Sequence, residues 1–492
     1  MDQRPVQIVA VVTGHTTDDL CAGRHACAAA DIVEMRLDGI DDLDLPRALA
    51  GETRPVIAAC RPAWEGGHSA ASDADRLGVL AEALDAGARW IEVEWHASMR
   101  DEALRRFPGR VIVSLHDFDA IPPDLADTLA AMASTDAAVV KVAVTPRSLR
   151  EAMSLADLRA RVPSGRDVAV IGMGPHGAPT RVAPSRFGSC WAYGVDAVAP
   201  GQYSAEDLAH VFRVREQSAS TTWYGLIGHP VAHSVGPWMH NAGLAAAGLD
   251  AVYVPADAVD FADAMAFVAW MPLAGLSVTA PYKRDAAAFA DTRDALTQET
   301  GAANTLFRTE RGWLASNFDV EGFLRPLREH ALEGGEALVL GAGGAARAVI
   351  VGLHARGMRV TIAARRREAA EALARELGAA VTTWPPPPGR ERLLVNSTPV
   401  GTWPDTEATP LPGGALGQAI VCDLVYNPEA TRLLRDAAGQ GCVTVGGLGM
   451  LVEQAHEQFR QWTRRDEPAG AFVQAARAQL VRRRTALETD NV

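Results

Sequence analysis

Lys141 stands in the middle of Ala138-Val139-Val140-Lys141-Val142-Ala143-Val144, an otherwise apolar and β-branched run. A structural lysine is seldom placed there, because burying an ammonium is costly. Desolvation with cationic neighbours lowers a lysine pKa, and a neutral amine can attack a ketone to form an imine. His116, near the end of another apolar run, is a natural general base, although a lone histidine is as often a satisfied structural residue. In the second half, Lys283 and Asp319 could handle a proton together, but their separation along the chain carries no weight by itself. A third signal is Leu338–Arg347, LVLGAGGAAR, which places glycines where a strand becomes a helix. Such a turn lets backbone approach a pyrophosphate, and the helix start supplies amide donors and a positive dipole. The next strand, VTIA, runs into Arg365-Arg366-Arg367, where an NAD enzyme carries an acidic residue on the ribose. Arginine suits a 2′-phosphate, so NADP is expected over NAD. The plainer reading is a solvated basic turn.

These residues need a scaffold. In the first 205 residues, apolar runs start at Gln7, Asp31, Val56, Trp90, Val111, Ala138, Asp167 and Trp191, separated by stretches such as Asp73–Ala88 and Leu125–Ala133 that read as helices. Eight alternations predict a (β/α)8 TIM barrel, the alternative being an open doubly wound sheet. An amphipathic stretch, Ala205–Arg215, leads to a polar linker, and a second α/β series follows. The expected organisation is a barrel over 1–215, a linker over 216–222, and a two-lobed dehydrogenase. The latter comprises a substrate lobe (223–325), a Rossmann lobe (326–447), and C-terminal helices with a tail (448–492). The Ala/Arg/Gln-rich stretch from Gly470 reads as helical and has no assigned role.

Length and composition agree with several soluble domains: 492 residues, 48% hydrophobic and 22% charged. A net charge of −13 excludes polyanionic partners such as nucleic acid or an anionic membrane, while small anionic substrates remain compatible. Six cysteines without CxxC spacing point to reduced thiols and to no metal site. The first residues lack the pattern of a signal peptide and no run reaches transmembrane length, so a cytoplasmic location is expected. Oligomeric state is not readable.

The polar residues at the barrel strand ends resemble the type I 3-dehydroquinate dehydratases over about 5–205. The matching motifs are Glu34-Met35-Arg36, Arg61-x3-Glu65-Gly-Gly, Ser114-Leu115-His116-Asp117, Lys141-Val142-Ala143, Met173-Gly174, Thr180-Arg181, Phe187-Gly188-Ser189 and Ala199-Pro200-Gly201-Gln202. The resemblance implies a Schiff base at Lys141, with His116 as general acid and base oriented by Glu65. Arg181 would bind the carboxylate, Glu34, Arg36 and Arg61 the hydroxyls, and Gln202 would close from the last loop. Val198 replaces a serine often found there, which should affect binding and not chemistry.

The second half resembles the shikimate dehydrogenase family over roughly 222–465. Its motifs occur in order: GLIGHPVAHSVGPWMHN from Gly225, SVTAPYK, GAANT, SNFD, GAGGAAR, NSTPVGT, DLVYNPEAT and GGLGMLVEQA. This implies Lys283 and Asp319 as the catalytic pair, and Ser234, Thr279, Asn304, Tyr426 and Gln454 at the substrate. Gly341, Ala342, Gly343, Gly344, Ala345, Arg365, Thr398, Leu424 and Gly447 would line NADP. One position departs: the family has Ser-x-Ser-Pro where this chain reads Ser234-Val235-Gly236-Pro237. Gly236 removes a hydroxyl and opens space near C1 of the ring, which makes quinate a candidate substrate beside shikimate. Alternatively, water replaces the hydroxyl and shikimate stays preferred. Both halves would then handle the same carbocyclic acids, 3-dehydroquinate, 3-dehydroshikimate, and shikimate or quinate. A metabolite-sensing regulator built from such domains should have lost its catalytic side chains, and here they are present.

Overall fold

The computed structural model describes residues 5–195, 202–387, 391–411, 413, 416, 420–466, 468 and 470–489. Val198 and the rest of 196–201 lie outside them. The described residues divide into two compact units. One is residues 1–223 with 229–233 and 250–273; the other is 224–228, 234–249 and 274–492.

The first unit contains eight parallel strands: β1 (Gln7–Val12), β2 (Ile32–Arg36), β3 (Val56–Ala59), β4 (Trp90–Glu94), β5 (Val111–Asp117), β6 (Val139–Val144), β7 (Val168–Gly172) and β8 (Trp191–Val195). They are hydrogen-bonded in the order β7-β6-β5-β4-β3-β2-β1-β8. From β1 to β7 each strand is added on the same side, and β8 returns to pair with β1, Gln7 opposite Trp191. A doubly wound sheet would reverse direction at a switch point; this one curls into a nearly closed barrel. The helices Asp73–Asp85 and Leu125–Ala133 occupy two of the crossovers.

Strand alternation layers the barrel interior. Ile32, Ile112, Val139, Trp191 and Tyr193 belong to one buried cluster. Two residues beyond Ile32, Ile112 and Val139 on the same strand faces come Glu34, Ser114 and Lys141. An apolar layer therefore supports a polar layer at the C-terminal strand ends. The amphipathic stretch from Ala205 is helical at its start, with α-helical residues 205–206 running into a π-helical segment, Asp207–Val211.

Beyond the barrel, the strands are β9 (Thr222–Gly228), β10 (Ala251–Asp257), β11 (Gly275–Val278), β12 (Thr292–Arg293), β13 (Thr305–Thr309) and β14 (Gly312–Ser316). In the second unit β9 and β11 run parallel, β11 and β13 antiparallel, β13 and β14 form a hairpin, and β12 joins β14. Six further strands are all parallel: β15 (Glu336–Leu340), β16 (Arg359–Ala363), β17 (Ala380–Val381), β18 (Leu393–Asn396), β19 (Ile420–Asp423) and β20 (Val443–Gly446). Their order, β17-β16-β15-β18-β19-β20, is the dinucleotide-binding winding, reversing between β15 and β18. Ala337 and Val339 pack into one core and Leu338 and Leu340 into another, so β15 is buried on both faces.

Candidate active sites

In the barrel, the polar layer closes around Lys141. Its Nζ donates to Glu92 Oε2 at 2.7 Å and to Glu34 Oε2 at 2.9 Å, and lies 4.3 Å from the centroid of the Tyr193 ring. Arg61 Nη2 donates to Glu92 Oε1 at 2.9 Å and stands 3.8 Å from Glu34. The sequence reading expects cationic neighbours for this lysine; its direct partners are carboxylates. A buried ammonium needs opposite charge more than it can tolerate like charge, so two glutamates surround it and the arginine sits behind them. Burial works to raise the Glu92 carboxyl, but Lys141 and Arg61 outweigh it and hold the group well below the usual carboxylate range.

His116 lies on the strand next to Lys141, where Ser114 is opposite Lys141 in register. Its Nδ1 is 2.9 Å from Glu65 Oε1, which also accepts the His116 backbone N–H at 2.8 Å. Burial, reinforced by Arg61, pushes the imidazole well below its ordinary value and keeps it neutral. Burial and the nearby Glu94 push Glu65 up to about 8. With Nδ1 turned to Glu65, the ring leaves Nε2 facing the site. Among the described residues that buried nitrogen makes no hydrogen bond, Glu92 Oε1 standing 3.5 Å away, and Ser114 Oγ and Arg61 Nε make none either. Buried polar atoms without partners mark a place for a polar ligand.

The remaining barrel candidates are distributed around this centre. Arg36 is held in a two-point pair by Asp38, at 2.9 and 2.8 Å. Arg181, at the end of the helix Gly174–Val182, donates from Nε to the Gly172 carbonyl at 3.2 Å; burial lowers its guanidinium to about 10. Gln202 is half-buried just past the undescribed segment.

In the second unit, Lys283 begins the helix Lys283–Phe289 and Asp319 begins Asp319–Leu324. The two meet, Nζ to Oδ2, at 2.6 Å. Asn304 Nδ2 donates to the other Asp319 oxygen at 2.9 Å and to Gln454 Oε1 at 3.2 Å. Four residues from four segments of the sequence thus form one cluster. Thr279 is half-buried after β11, its N–H held by the Ile227 carbonyl at 2.9 Å. Ser234 and Gly236 lie at the start of the helix Gly236–Ala246, where the Gly236 N–H donates to Ser234 Oγ at 3.1 Å. Tyr426 is half-buried, and burial raises its phenol.

The glycine turn lies at the β15/β18 reversal. Gly341 has φ +109, and a Cβ there would meet Ser397 Oγ at 2.8 Å and the Thr398 methyl at 3.1 Å. Ala342 and Gly343 continue the turn, and Gly344 and Ala345 open the helix Gly344–Ala355, whose first turn has no side-chain cap. The uncapped amides and the crowding at Gly341 fit a close-lying pyrophosphate. A Cβ on Gly344 would stand 3.7 Å from Lys283 Cδ, so the turn adjoins the Lys283–Asp319 pair. Arg365 is exposed just beyond β16. At Gly447 a Cβ would meet the Leu424 carbonyl at 2.3 Å, so only glycine lets these two segments touch.

Residues 8–219 match the family described as type I 3-dehydroquinase, and residues 226–306 match the shikimate dehydrogenase substrate binding domain. The chain is 32% identical over 489 residues to the chloroplastic bifunctional 3-dehydroquinate dehydratase/shikimate dehydrogenase of Arabidopsis thaliana, covering 90% of this chain and 79% of that protein. The chain belongs to the bifunctional 3-dehydroquinate dehydratase/shikimate dehydrogenase family. It is also 42% identical to the NADP(+) shikimate dehydrogenase of Salinibacter ruber, over 53% of this chain and 98% of that one. Among solved structures, the Thermus thermophilus shikimate 5-dehydrogenase in complex with NADP(H) and shikimate is 36% identical, covering 52% of this chain and 99% of that chain, with a TM-score of 0.48.

In this member of the bifunctional family, the sequence reading missed Glu92. Glu94, at the end of β4, is occupied by the buried Arg76, and it is Glu92 that holds Lys141. The signal was the alternation Glu92-x-Glu94, two glutamates on one face of an otherwise apolar strand. Tyr193 and Gln458 were missed as well. Gln458 donates to the Asn304 carbonyl at 3.2 Å and to Thr305 Oγ1 at 3.0 Å, which fixes the start of β13 and Asn304 just before it. Among the described residues, no helix is long and apolar enough to cross a membrane.

Proposed function

We propose that the barrel dehydrates 3-dehydroquinate to 3-dehydroshikimate, and that the second unit interconverts 3-dehydroshikimate and shikimate with NADP. The domain limits expected from the sequence, 1–215 and 223–492, assign one reaction to each half. The observation that carries the first reaction is a buried lysine beside a neutral histidine whose Nε2 makes no hydrogen bond among the described residues.

Glu34 and Glu92 hold Lys141 Nζ in place, and the ammonium sheds one proton to solvent before it attacks. The amine then adds to the C3 ketone, and loss of water leaves an iminium. The iminium makes C2–H acidic; His116 Nε2 removes that proton and returns it to the C1 hydroxyl, which leaves as water. Hydrolysis of the iminium frees Lys141. Glu65 holds His116 in the productive tautomer, and Arg181 supplies charge for the carboxylate. Borohydride added with 3-dehydroquinate should reduce the iminium to a stable adduct on Lys141, read by peptide mass spectrometry. No adduct together with no turnover sinks this half of the proposal.

In the second unit, Lys283 and Asp319 bind the reacting hydroxyl and move its proton, while Asn304 and Gln454 hold ring hydroxyls. The amides of Gly341–Ala345, with Thr398, Leu424 and Gly447 around them, would hold the dinucleotide, and Arg365 its 2′-phosphate. When bound there, the nicotinamide supplies or accepts the hydride. A second reading, quinate dehydrogenation to 3-dehydroquinate, is favoured by Gly236, which leaves Ser234 as the only hydroxyl of that motif. The deciding measurement is kcat/KM for shikimate and for quinate, each with NADP and NAD. An NAD preference would remove Arg365 from the cofactor assignment.

A further inference from the structure

The stretch beginning at Gly470 has no counterpart in the chemistry described so far. It forms the helix Ala471–Thr489, laid along the helix Gly236–Ala246. Phe472 anchors it. A Cβ on Gly243 would stand 2.4 Å from the Phe472 ring, so the phenylalanine occupies the space that this glycine leaves. Phe472 also packs edge-on against His240 and Phe459, at 5.3 and 5.7 Å between centroids. About three turns further on comes Arg482-Arg483-Arg484, of which the outer two are exposed and the middle one is half-buried.

Arg483 turns toward the start of the opposing helix. Its Nη2 donates to the Ser234 carbonyl at 3.1 Å, and its guanidinium carbon lies 5.3 Å from the centroid of the Trp238 ring. Its charge also pulls down the Tyr426 phenol against the larger raising effect of burial. A guanidinium thus stands at the Ser234 carbonyl, two residues before Gly236, and within electrostatic reach of Tyr426, and all three residues are assigned above to the substrate. Arg483 is half-buried between two exposed arginines and turns back onto the fold. A planar guanidinium carries five N–H groups, enough for a backbone carbonyl and a carboxylate together, and stacking on an indole fixes its plane.

We propose that Arg483 binds the substrate carboxylate in the dehydrogenase site, supplying as charge what Gly236 lacks as a hydroxyl. This inference rests on the dehydrogenase reading above. It makes the C-terminal helix part of the site, and makes a ring carboxylate the feature by which this unit selects its substrates.

The test compares shikimate with its methyl ester, which keeps the ring and hydroxyls and loses the charge. Wild-type enzyme should prefer the acid. Arg483→Met should raise KM for the acid by about tenfold to a hundredfold with kcat within about threefold, and should erase the preference over the ester. Arg483→Lys should retain part of it, and carries the same comparison should Arg483→Met fail to fold. An unchanged acid-to-ester ratio overturns the proposal, even if KM rises equally for both, because equal loss marks a purely structural contact. Wild-type protein that turns over neither shikimate nor quinate overturns the dehydrogenase reading itself, whereas normal wild-type turnover with an unchanged ratio in the variants overturns only the role of Arg483. Dehydratase turnover should stay at the wild-type level in both variants.

Discussion

Each half of the chain has a lysine paired with carboxylate, and the two pairs are built differently. Lys141 is 3% exposed and lies between two carboxylates that are each 1% exposed. Lys283 is 18% exposed and meets the single carboxylate of Asp319. A lysine closed inside a barrel, its charge balanced and its amine aimed by fixed partners, suits covalent attack on a ketone. A lysine at an open edge, sharing one carboxylate beside a glycine turn, suits proton exchange with a hydroxyl that comes and goes. Surroundings, not residue type, divide the two chemistries.

The widest gap between the sites should come from removing each lysine. Lys141→Met is expected to lower dehydratase turnover by about 10⁴-fold or more, leaving dehydrogenase turnover unchanged. It leaves two buried carboxylates to share the single cation of Arg61, at a cost of about 3–5 kcal/mol, measurable by urea unfolding. Lys283→Met should lower dehydrogenase turnover by about 10²–10⁴-fold. Its stability cost should be nearer 1 kcal/mol, because Asp319 keeps its bond from Asn304. Equal stability losses would break the comparison.

A smaller effect separates the sites by pH. Glu65 has its carboxyl raised from 4.5 to about 8, so the folded chain holds a proton that the unfolded chain releases. Its contribution is fully present below pH 4.5 and is lost as pH rises through about 8. Glu65→Gln keeps an oxygen for His116 and removes the titration. The stability of wild type relative to this variant should therefore fall across that window. A difference that is flat with pH would show that Glu65 ionises normally. Smallest of all, Arg365→Ser should cut the preference for NADP over NAD by about tenfold, with dehydratase kinetics unaffected.

The fold was legible because periodicity is local. Eight apolar runs with helical spacers predict a barrel, and LVLGAGGAAR predicts a strand, turn and helix without knowledge of distant residues. The site was legible where a residue contradicts its surroundings, as Lys141 does. It was less legible where two similar residues compete. Glu92 and Glu94 share a strand face, and only the position of Arg76 decides that Glu94 is occupied while Glu92 reaches Lys141. The Ala205–Arg215 stretch shows the converse, a local amphipathic pattern whose helix, 205–211, covers only its first part and is largely π-helical.

By itself the sequence determined the order of strands and helices, the glycine turn, and the identity of the lysines, histidine and carboxylates available for chemistry. Tertiary structure decided their partners. Lys141 is 107 residues from Glu34, Asn304 is 150 from Gln454, and Arg483 is 249 from Ser234. Propensity and spacing act over a few residues, whereas ion pairing and burial depend on distances that exist only once the chain has closed on itself.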